Sequence, residues 1–299
     1  MDAYDMDDTA SKHPPLAQLR GVIALLRPKQ WIKNGFVLAP LMFTGTFLVS
    51  ASLSRALFAA FLFCVASSAT YIVNDIRDIE SDRRHPRKSR TRPLAAGIVS
   101  VPTALAVLAG LYAILIWGGL QAPQVIAVIG GYLLLNLAYT FVLKYQPVVD
   151  IFTIAIGFVL RVYAGAVALA VPLSGWMFVT TLCLALYLAA VKRRQELVAV
   201  GSESRKVLQN YSVALIDRYA EMSATGALVF YSMFVMSAKP QLVITVPVVL
   251  FGLFRYWFVV EELDAGESPT DALLGDWQLL LTGILWLSVC AWALWPHAH

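Results

Sequence analysis

Nine apolar segments, each close to the length of a membrane-spanning helix, most limit how this chain can fold. A helix needs about 20 mainly apolar residues to cross the hydrocarbon core of a bilayer. The chain has 299 residues, of which 59% are hydrophobic and only 14% are charged. We therefore predict an all-α, polytopic membrane helix bundle with about nine transmembrane helices. The segments lie near residues 35–54, 56–73, 101–120, 124–142, 151–172, 175–191, 219–237, 240–260 and 278–296.

The chain divides into a polar N-terminal tail and one transmembrane domain. Residues 1–26 are mostly polar and lack a basic stretch followed by a short apolar one, so we expect no cleaved signal peptide. No low-complexity linker or strong internal repeat interrupts residues 27–299. We expect that range to form a single catalytic domain.

The positions of the cations predict the orientation of the bundle. Of the 23 Lys and Arg residues, 19 fall before the first span or in alternate loops, and only 2 fall on the other side. Cytoplasmic loops carry such an excess of Lys and Arg. We therefore expect a multi-pass protein of the cell (inner) membrane, with a cytosolic N-terminus and an active site that faces the cytosol.

An acidic run follows the second apolar segment, at the predicted cytosolic edge of the membrane. Asn74, Asp78 and Asp82 lie four residues apart, so on a helix their side chains share one face. A set of oxygen ligands without His or Cys suits Mg²⁺, whose coordination shell is commonly completed by waters and substrate phosphates. The spacing favours a magnesium site at Asn74, Asp78 and Asp82.

Two structural alternatives to that metal site remain open. The acidic run could be a solvated helix end, or its carboxylates could pair with Arg77 and the basic tract that follows. Internal pairing suits Asp75 and Glu80, which point away from the shared face.

Cations flank the acidic run and are candidates for binding phosphate oxygens. Arg83, Arg87 and Arg90 lie in a basic tract with two prolines, which favours a folded-over loop. Arginine forks match phosphate oxygens bidentately. Lys29 and Lys33 surround a Trp before the first span, where they either meet an anion or anchor the helix to lipid headgroups.

Charged residues also lie inside the predicted membrane region. Asp150 and Arg161 are eleven residues apart, close to three helical turns, and so share a face. A buried Arg is costly and marks a functional site unless it pairs with a carboxylate on another helix. Tyr139 and Lys144 precede this span and could bring a ring and a charge to a substrate.

A second charged cluster closes the sixth apolar segment on the same predicted side. Lys192 and Arg193 begin it, and Glu196 lies four residues after Lys192. Lys192 and Glu196 could simply pair along the helix. A bundle could instead bring Lys192 and Arg193 to the acidic run across a cavity.

These motifs resemble the UbiA superfamily of intramembrane prenyltransferases. Its NDxxDxxxD motif is met by Asn74, Asp78 and Asp82, and the resemblance covers essentially the whole chain. The resemblance implies a UbiA-like bundle of nine helices. In prenyl-transferring members a second Asp-rich motif follows the sixth region and holds a second Mg²⁺. This chain has Lys192 and Arg193 there instead.

Within the superfamily the chain is similar to the branch of polyprenyl-phosphate phosphoribosyltransferases. This resemblance implies Mg²⁺-dependent transfer of 5-phosphoribosyl from phosphoribosyl pyrophosphate to a polyprenyl (decaprenyl) phosphate in the bilayer, with release of pyrophosphate. It implies no nucleic-acid partner, leaves a homo-oligomer open, and suggests a product for cell-envelope or glycoconjugate synthesis. The segments that carry it are 27–34, 74–86, 92–97, 143–144, 172–174, 192–193 with 196–197, and 255–256.

The resulting hypothesis gives each candidate residue a role. Asp78, Asp82 and Lys192 are the expected catalytic residues, and Asn74 completes the metal site with the two Asp residues. The remaining candidates would bind the phosphates of donor and acceptor. They are Lys29, Lys33, Arg83, Arg87, Arg90, Tyr139, Lys144, Arg161 and Arg193.

Three other functions compete with this hypothesis. An aromatic prenyltransferase with a polyprenyl diphosphate donor would share the fold but predicts a second carboxylate cluster. An ion-coupled membrane transporter predicts charges along several spans at mid-membrane. An inactive lipid-binding scaffold would not need the complete Asp row.

Overall fold

The computed structural model describes residues 14–84, 88–200, 206–262 and 269–295, and over these ranges the chain is helical with no β-strand. Short 3-10 segments (Pro28–Leu38, Leu143–Tyr145, Lys206–Asn210 and Pro240–Thr245) connect the α-helices. The α-helices are α1 (Pro15–Leu26), α2 (Ala39–Thr44), α3 (Ser50–Arg77), α4 (Ile79–Arg84), α5 (Lys88–Thr91), α6 (Val101–Gln121), α7 (Pro123–Phe141), α8 (Val149–Ala168), α9 (Gly175–Val200), α10 (Val213–Ala238), α11 (Val246–Glu262), α12 (Pro269–Gly275) and α13 (Trp277–Ala293).

The first two predicted spans differ from the observed helices. The segment predicted at 35–54 is divided, because α2 ends at Gly45, which adopts a left-handed φ of 71°. The next helix, α3, has 28 residues, begins at Ser50 and includes the whole of the second predicted span. The first apolar segment therefore forms a 3-10 helix and a short α-helix rather than one long span.

Six helical stretches of the described residues are long and apolar enough to cross a membrane, fewer than the nine predicted from the sequence. The difference lies in the divided first segment, in α10, whose first turns carry Asp217, Arg218 and Glu221, and in α13, which has 17 residues. The crossing stretches are Ser50–Arg77, Val101–Gln121, Pro123–Phe141, Val149–Ala168, Gly175–Val198 and Pro240–Glu261.

The outer surface of the bundle is apolar where a soluble protein would be polar. Leu120 is 80% exposed, Ile116 and Met222 are at least 70% exposed, and Leu134 is 69% exposed. Such side chains are stable outside the bundle only if lipid covers them. The chain is accordingly a multi-pass membrane protein.

The predicted polar tail contributes a helix to the bundle. Helix α1 lies within residues 1–26, yet Leu25 is fully buried against Ile72 of α3 and Ala104 of α6. Residues 1–13 of that tail lie outside the described part of the chain. The C-terminal half of α1 is therefore packed on the transmembrane domain.

Helix α8 is the centre of the bundle, and a glycine lets the first segment cross it. Helix α8 packs against α7, α9 and the 3-10 helix Pro28–Leu38. A Cβ added at Gly165 would overlap the backbone carbonyl of Val37 and lie 3.2 Å from Cδ of Pro40. This close approach fixes the 3-10 helix that carries Lys33 and Asn34 into the bundle.

Replacing Gly165 with Ala should destabilise the fold, because the added methyl collides with backbone that cannot rotate away. We expect the free energy of unfolding to fall by about 1–3 kcal/mol, the usual cost of overpacking. A thermal melt in detergent measures the change. Gly131→Ala on α7, where no atom lies within 4 Å of the added Cβ, is the matched control. Equal melting midpoints for the two variants would contradict the close crossing.

Candidate active site

One cavity of about 1490 Å³ collects the charged ends of several helices. Its wall is formed by the C-terminal part of α3, by α7 and α8, and by α9, α11 and α13. At one end it contains the acidic run, the turn between α7 and α8, and the last turns of α9. Toward the bundle interior the wall becomes aromatic and aliphatic. The cavity thus joins a polar rim to an apolar interior.

The predicted row of oxygen donors lies on the wall of this cavity. Asn74, Asp78 and Asp82 all line it, although the helix is interrupted at Asp78, where φ is −100°. The amide of Asp78 donates to the Asn74 carbonyl at 2.9 Å, and the amide of Asp82 donates to the Asp78 carbonyl at 2.8 Å. These bonds carry the helical path from α3 into α4 and keep the three residues in register.

Cations from other elements hold the two carboxylates of the row. Lys144 donates to Asp78 at 3.1 Å and 3.3 Å. Asp82 is buried and lies 3.5 Å from the Lys88 ammonium and 3.7 Å from the Arg92 guanidinium. The negative charges of Asp78 and Asp82 are therefore balanced by these cations. A bound ligand can displace the cations with groups of its own.

Asp75 and Glu80 pair within the protein, as their direction on the helix predicted. Asp75 is buried and forms ion pairs with Arg27 and Arg92. Glu80 is exposed and lies 3.7 Å from Arg84. Asp75 thereby ties α3 to the end of α1 and to the segment after α5.

Arg161 lies deeper on the cavity wall and is held by neutral partners. Its guanidinium donates to Asn34 Oδ1 at 2.9 Å, to the Gly157 carbonyl at 2.8 Å and to the Tyr132 hydroxyl at 3.0 Å. It also lies over the Phe63, Tyr132 and Phe158 rings, at 5.7, 4.9 and 5.0 Å from their centroids. Within the described ranges it makes no ion pair with a carboxylate, so its positive charge faces the cavity uncompensated.

Lys33 and Lys192 share this region with Arg161, and all three line the cavity. Burial, together with the positive charges of Lys192, Arg161 and Arg27, lowers the pKa of Lys33 from its ordinary value of 10.5 to about 7. Lys192 lies 3.9 Å from Glu196, as the four-residue spacing predicted. The cluster Lys33–Arg161–Lys192 is therefore a positively charged part of the cavity wall.

Asp150 and Arg193 form a buried ion pair beneath the cavity wall. Arg193 Nε donates to Asp150 at 2.6 Å, and its terminal nitrogens donate to Glu196 at 2.6 Å and to the Tyr139 hydroxyl at 2.9 Å. Asp150 also accepts from the Tyr211 hydroxyl at 2.8 Å. Asp150 thus pairs with Arg193 and not with Arg161. Arg193 also donates to the hydroxyl of Tyr139, a cavity residue, although Arg193 itself does not line the cavity.

The structure brings most of the predicted site residues together but not all of them. Lys29, Arg83 and Arg90 are exposed and lie away from the described cavity wall, Arg193 is buried behind it, and Arg87 lies outside the described residues. The predicted residues that line the cavity are Lys33, Asn74, Asp78, Asp82, Tyr139, Lys144, Arg161 and Lys192.

Sequence reasoning missed several cavity residues. Arg27 and Arg92 line the wall beside the acidic run, and each belonged to a basic segment from which no individual member could be selected. Tyr71, Asn136 and Tyr256 also line it. Their types and spacing resemble ordinary helix residues, so no sequence signal distinguished them.

The oxygen donors are the residues that could hold a metal. Among the described residues no group of three or more His, Cys, Asp or Glu side chains forms a metal cluster. Asn74, Asp78 and Asp82 offer one amide and two carboxylates on one cavity wall. This set fits a hard divalent cation whose remaining ligands come from water and substrate oxygens.

The comparison with known families agrees with this fold. Residues 36–273 match the UbiA prenyltransferase family. That match covers most of the chain, and the protein belongs to this family.

Curated relatives and solved structures extend the match. The chain is 34% identical over 297 residues to a decaprenyl-phosphate phosphoribosyltransferase of Corynebacterium glutamicum, covering 94% of this chain and 89% of the relative. A protein of the same name from Mycolicibacterium smegmatis is 34% identical over 320 residues, with 99% of both chains covered. A UbiA homologue from Archaeoglobus fulgidus, solved with GPP and Mg²⁺, has a TM-score of 0.71 at 16% identity, over 92% of this chain and 99% of that one.

The lowered pKa of Lys33 predicts proton uptake when an anionic ligand binds. At pH 8 the free amine is mostly neutral, and a nearby phosphate raises its pKa, so binding should take up a fraction of a proton. Calorimetry of phosphoribosyl pyrophosphate binding in two buffers of different ionisation enthalpy measures this uptake. Lys33→Arg stays charged and should lack this contribution. Identical uptake by wild type and variant would exclude Lys33 from the ligand site.

Because Asp150 and Arg193 form a buried ion pair, we predict that substitutions at the two residues have strongly coupled effects on the free energy of unfolding. Arg193→Met leaves a buried carboxylate without its cation and should lower the free energy of unfolding by about 3–5 kcal/mol. Adding Asp150→Asn removes that uncompensated charge and should restore much of the loss. Thermal melts of wild type, both single variants and the double variant measure the coupling. Additive losses would show that the two residues do not act as a pair.

Proposed function

We propose that this chain transfers a 5-phosphoribosyl group from phosphoribosyl pyrophosphate to a polyprenyl phosphate such as decaprenyl phosphate, with release of pyrophosphate. Support comes from relatives named decaprenyl-phosphate phosphoribosyltransferase, which match along nearly the whole chain. The observation that carries the proposal is one row of oxygen donors in the same cavity as a cluster of three cations.

The charge pattern suits substrates with several separate phosphates. Phosphoribosyl pyrophosphate has a diphosphate and a 5-phosphate, and the acceptor adds a phosphate of its own. Lys144 lies at the carboxylate row, and Lys33, Arg161 and Lys192 form a cluster of cations that we infer binds anionic groups. Two anionic groups of one donor could therefore be held at once.

Asn74, Asp78 and Asp82 would hold Mg²⁺ in this proposal. The donor set fits that ion, and a structural neighbour from Archaeoglobus fulgidus was solved with Mg²⁺. The chemistry that Mg²⁺ supplies when bound is neutralisation of the charge that develops on the pyrophosphate leaving group.

The side chains of the cavity would contribute the rest of the catalysis, by stabilising charge rather than by transferring protons. Lys144 and Arg92 lie where they can neutralise phosphate oxygens as the bond from ribose C1 to pyrophosphate breaks. Positive charge then develops at C1, and an oxygen of the lipid phosphate attacks from the opposite face. That oxygen is already anionic and needs no general base. Lys33, Arg161 and Lys192 would orient the other phosphates.

The competing functions fit the site less well. A prenyl-diphosphate enzyme of this family would need carboxylates at the end of α9, where Lys192 lines the cavity. A transporter would need charges distributed through the membrane, whereas the charges here gather at one end with Arg161 deeper. The excess of Lys and Arg at that end supports an active site facing the cytosol in the inner membrane.

Asp78→Asn tests the metal role of the carboxylate row. The change keeps the shape of the side chain but removes the charge, so phosphoribosyl transfer should fall by at least about 100-fold. The melting midpoint should change little, because the Asp78–Lys144 pair is partly exposed and such pairs contribute little stability.

Glu80→Gln is the matched control for this experiment. It removes the same charge two residues further along the chain. The Glu80 side chain lies at the cavity rim but is 84% exposed and pairs with Arg84, off the face shared by Asn74, Asp78 and Asp82. Its transfer rate should stay within about twofold of wild type, as expected for an exposed ion pair. Full activity of Asp78→Asn, or an equal loss in both variants, would contradict a metal site at Asp78.

A further inference from the structure

Tyr256 on α11 has a buried hydroxyl without a hydrogen-bond partner among the described residues. The side chain is 7% exposed and lines the cavity. A hydroxyl removed from water without a partner costs free energy, and such groups in native proteins call for an explanation. A ligand oxygen that accepts from this hydroxyl would supply one.

Three other tyrosines of the cavity have hydrogen-bond partners for their hydroxyls. Tyr132 accepts from Arg161 at 3.0 Å, and Tyr139 accepts from Arg193 at 2.9 Å. Tyr187, whose ring packs edge-to-face against Tyr256 with centroids 5.7 Å apart, donates to the Leu253 carbonyl at 3.1 Å. Tyr256 therefore differs from these three tyrosines in that its buried hydroxyl has no hydrogen-bond partner among the described residues.

The position of Tyr256 on α11 indicates what kind of ligand it meets. Val248, Val249, Gly252 and Leu253 line the cavity on the same face of α11, so the wall below Tyr256 is apolar. Tyr256 itself lies within two turns of the end of α11, toward the charged end of the cavity. The phenol thus stands at the boundary between the polar rim and the apolar wall.

This boundary lies on the other half of the bundle from the carboxylate row. Helix α11 packs mainly against α10, α12 and α13, whereas α3, which carries Asn74, packs mainly against α6, the 3-10 helix Pro28–Leu38, α7 and α8. Lys192 on α9 lines the same cavity and adds a positive charge to it. The α11 side therefore combines a hydrogen-bond donor with an apolar wall, in a cavity that also contains the Lys192 cation.

We propose that the Tyr256 hydroxyl donates a hydrogen bond to a phosphate oxygen of the polyprenyl phosphate acceptor, whose first isoprenyl units lie against the wall from Val248 to Leu253. This inference rests on the proposed function. The acceptor is an anion joined to an apolar chain, which matches both sides of the boundary. The phosphoribosyl donor is polar throughout and would leave the apolar wall uncovered.

Tyr256→Phe tests the inference, because it removes only the unpartnered oxygen. The KM for polyprenyl phosphate should rise about tenfold, the effect of losing one hydrogen bond to a charged group. The KM for phosphoribosyl pyrophosphate should stay within about twofold, and the melting midpoint should not fall. Tyr187→Phe, which loses a bond to the Leu253 carbonyl, should instead lower the melting midpoint.

Two results would overturn the inference. An unchanged KM for the lipid would show that the hydroxyl does not meet the acceptor, and a raised KM for the donor alone would assign it to the other substrate. Direct binding of farnesyl phosphate, followed by tryptophan fluorescence, separates this question from the reaction. Wild type should bind it about tenfold more tightly than Tyr256→Phe even if phosphoribosyl transfer is not the activity. Equal affinities would refute the contact.

Discussion

The pairing of three carboxylates at the cavity rim (Asp75, Asp78 and Asp82) with cations from other elements is the interaction on which the site depends. Lys144 holds Asp78, Lys88 and Arg92 hold Asp82, and Asp75 binds Arg27 and Arg92. Charges at the edge of a membrane bundle are costly unless they are compensated. These pairs join α1, α3, α4, α5 and the α7–α8 turn around one cavity, so the elements that build the rim also carry the residues proposed for the reaction.

In such a rim, the carboxylates can exchange their side-chain cations for a bound cation. A cation bound at Asn74, Asp78 and Asp82 would replace the ammonium of Lys144, which would then be available for phosphate oxygens. Deeper in the cavity, Arg161 is held by an amide, a carbonyl and aromatic rings, and so keeps its charge for a ligand. The buried Asp150–Arg193 pair has the opposite character, because both charges are satisfied within the protein. The site therefore separates cations that can bind substrate from a cation that supports the wall.

The sequence predicted the local arrangement better than the long-range one. The four-residue spacing placed Asn74, Asp78 and Asp82 on one face, and the backbone hydrogen bonds preserve that face through the break at Asp78. Spacing also placed Asp150 and Arg161 on one face of α8, but it could not show that Arg193 on α9 takes the carboxylate. Partners across helices depend on packing, which a single sequence does not reveal.

The divided first span and the unpartnered hydroxyl of Tyr256 could not be predicted for similar reasons. Apolar composition continues through Gly45, so hydropathy gives no sign of the left-handed turn that ends α2. An unpartnered hydroxyl is visible only when all of its neighbours are placed. Which cations line the cavity was equally hidden, since Arg83 and Arg92 belong to one basic tract but only Arg92 reaches the wall.

The most direct test of the account is transfer of label from phosphoribosyl pyrophosphate into lipid by the purified protein. Radiolabelled donor, decaprenyl phosphate and Mg²⁺ are incubated with the enzyme, with and without EDTA, and the organic phase is counted. The account predicts lipid-soluble label that requires both enzyme and Mg²⁺. Unlabelled lipid from a folded enzyme, together with transfer of a prenyl group from a polyprenyl diphosphate to an aromatic acceptor, would contradict it.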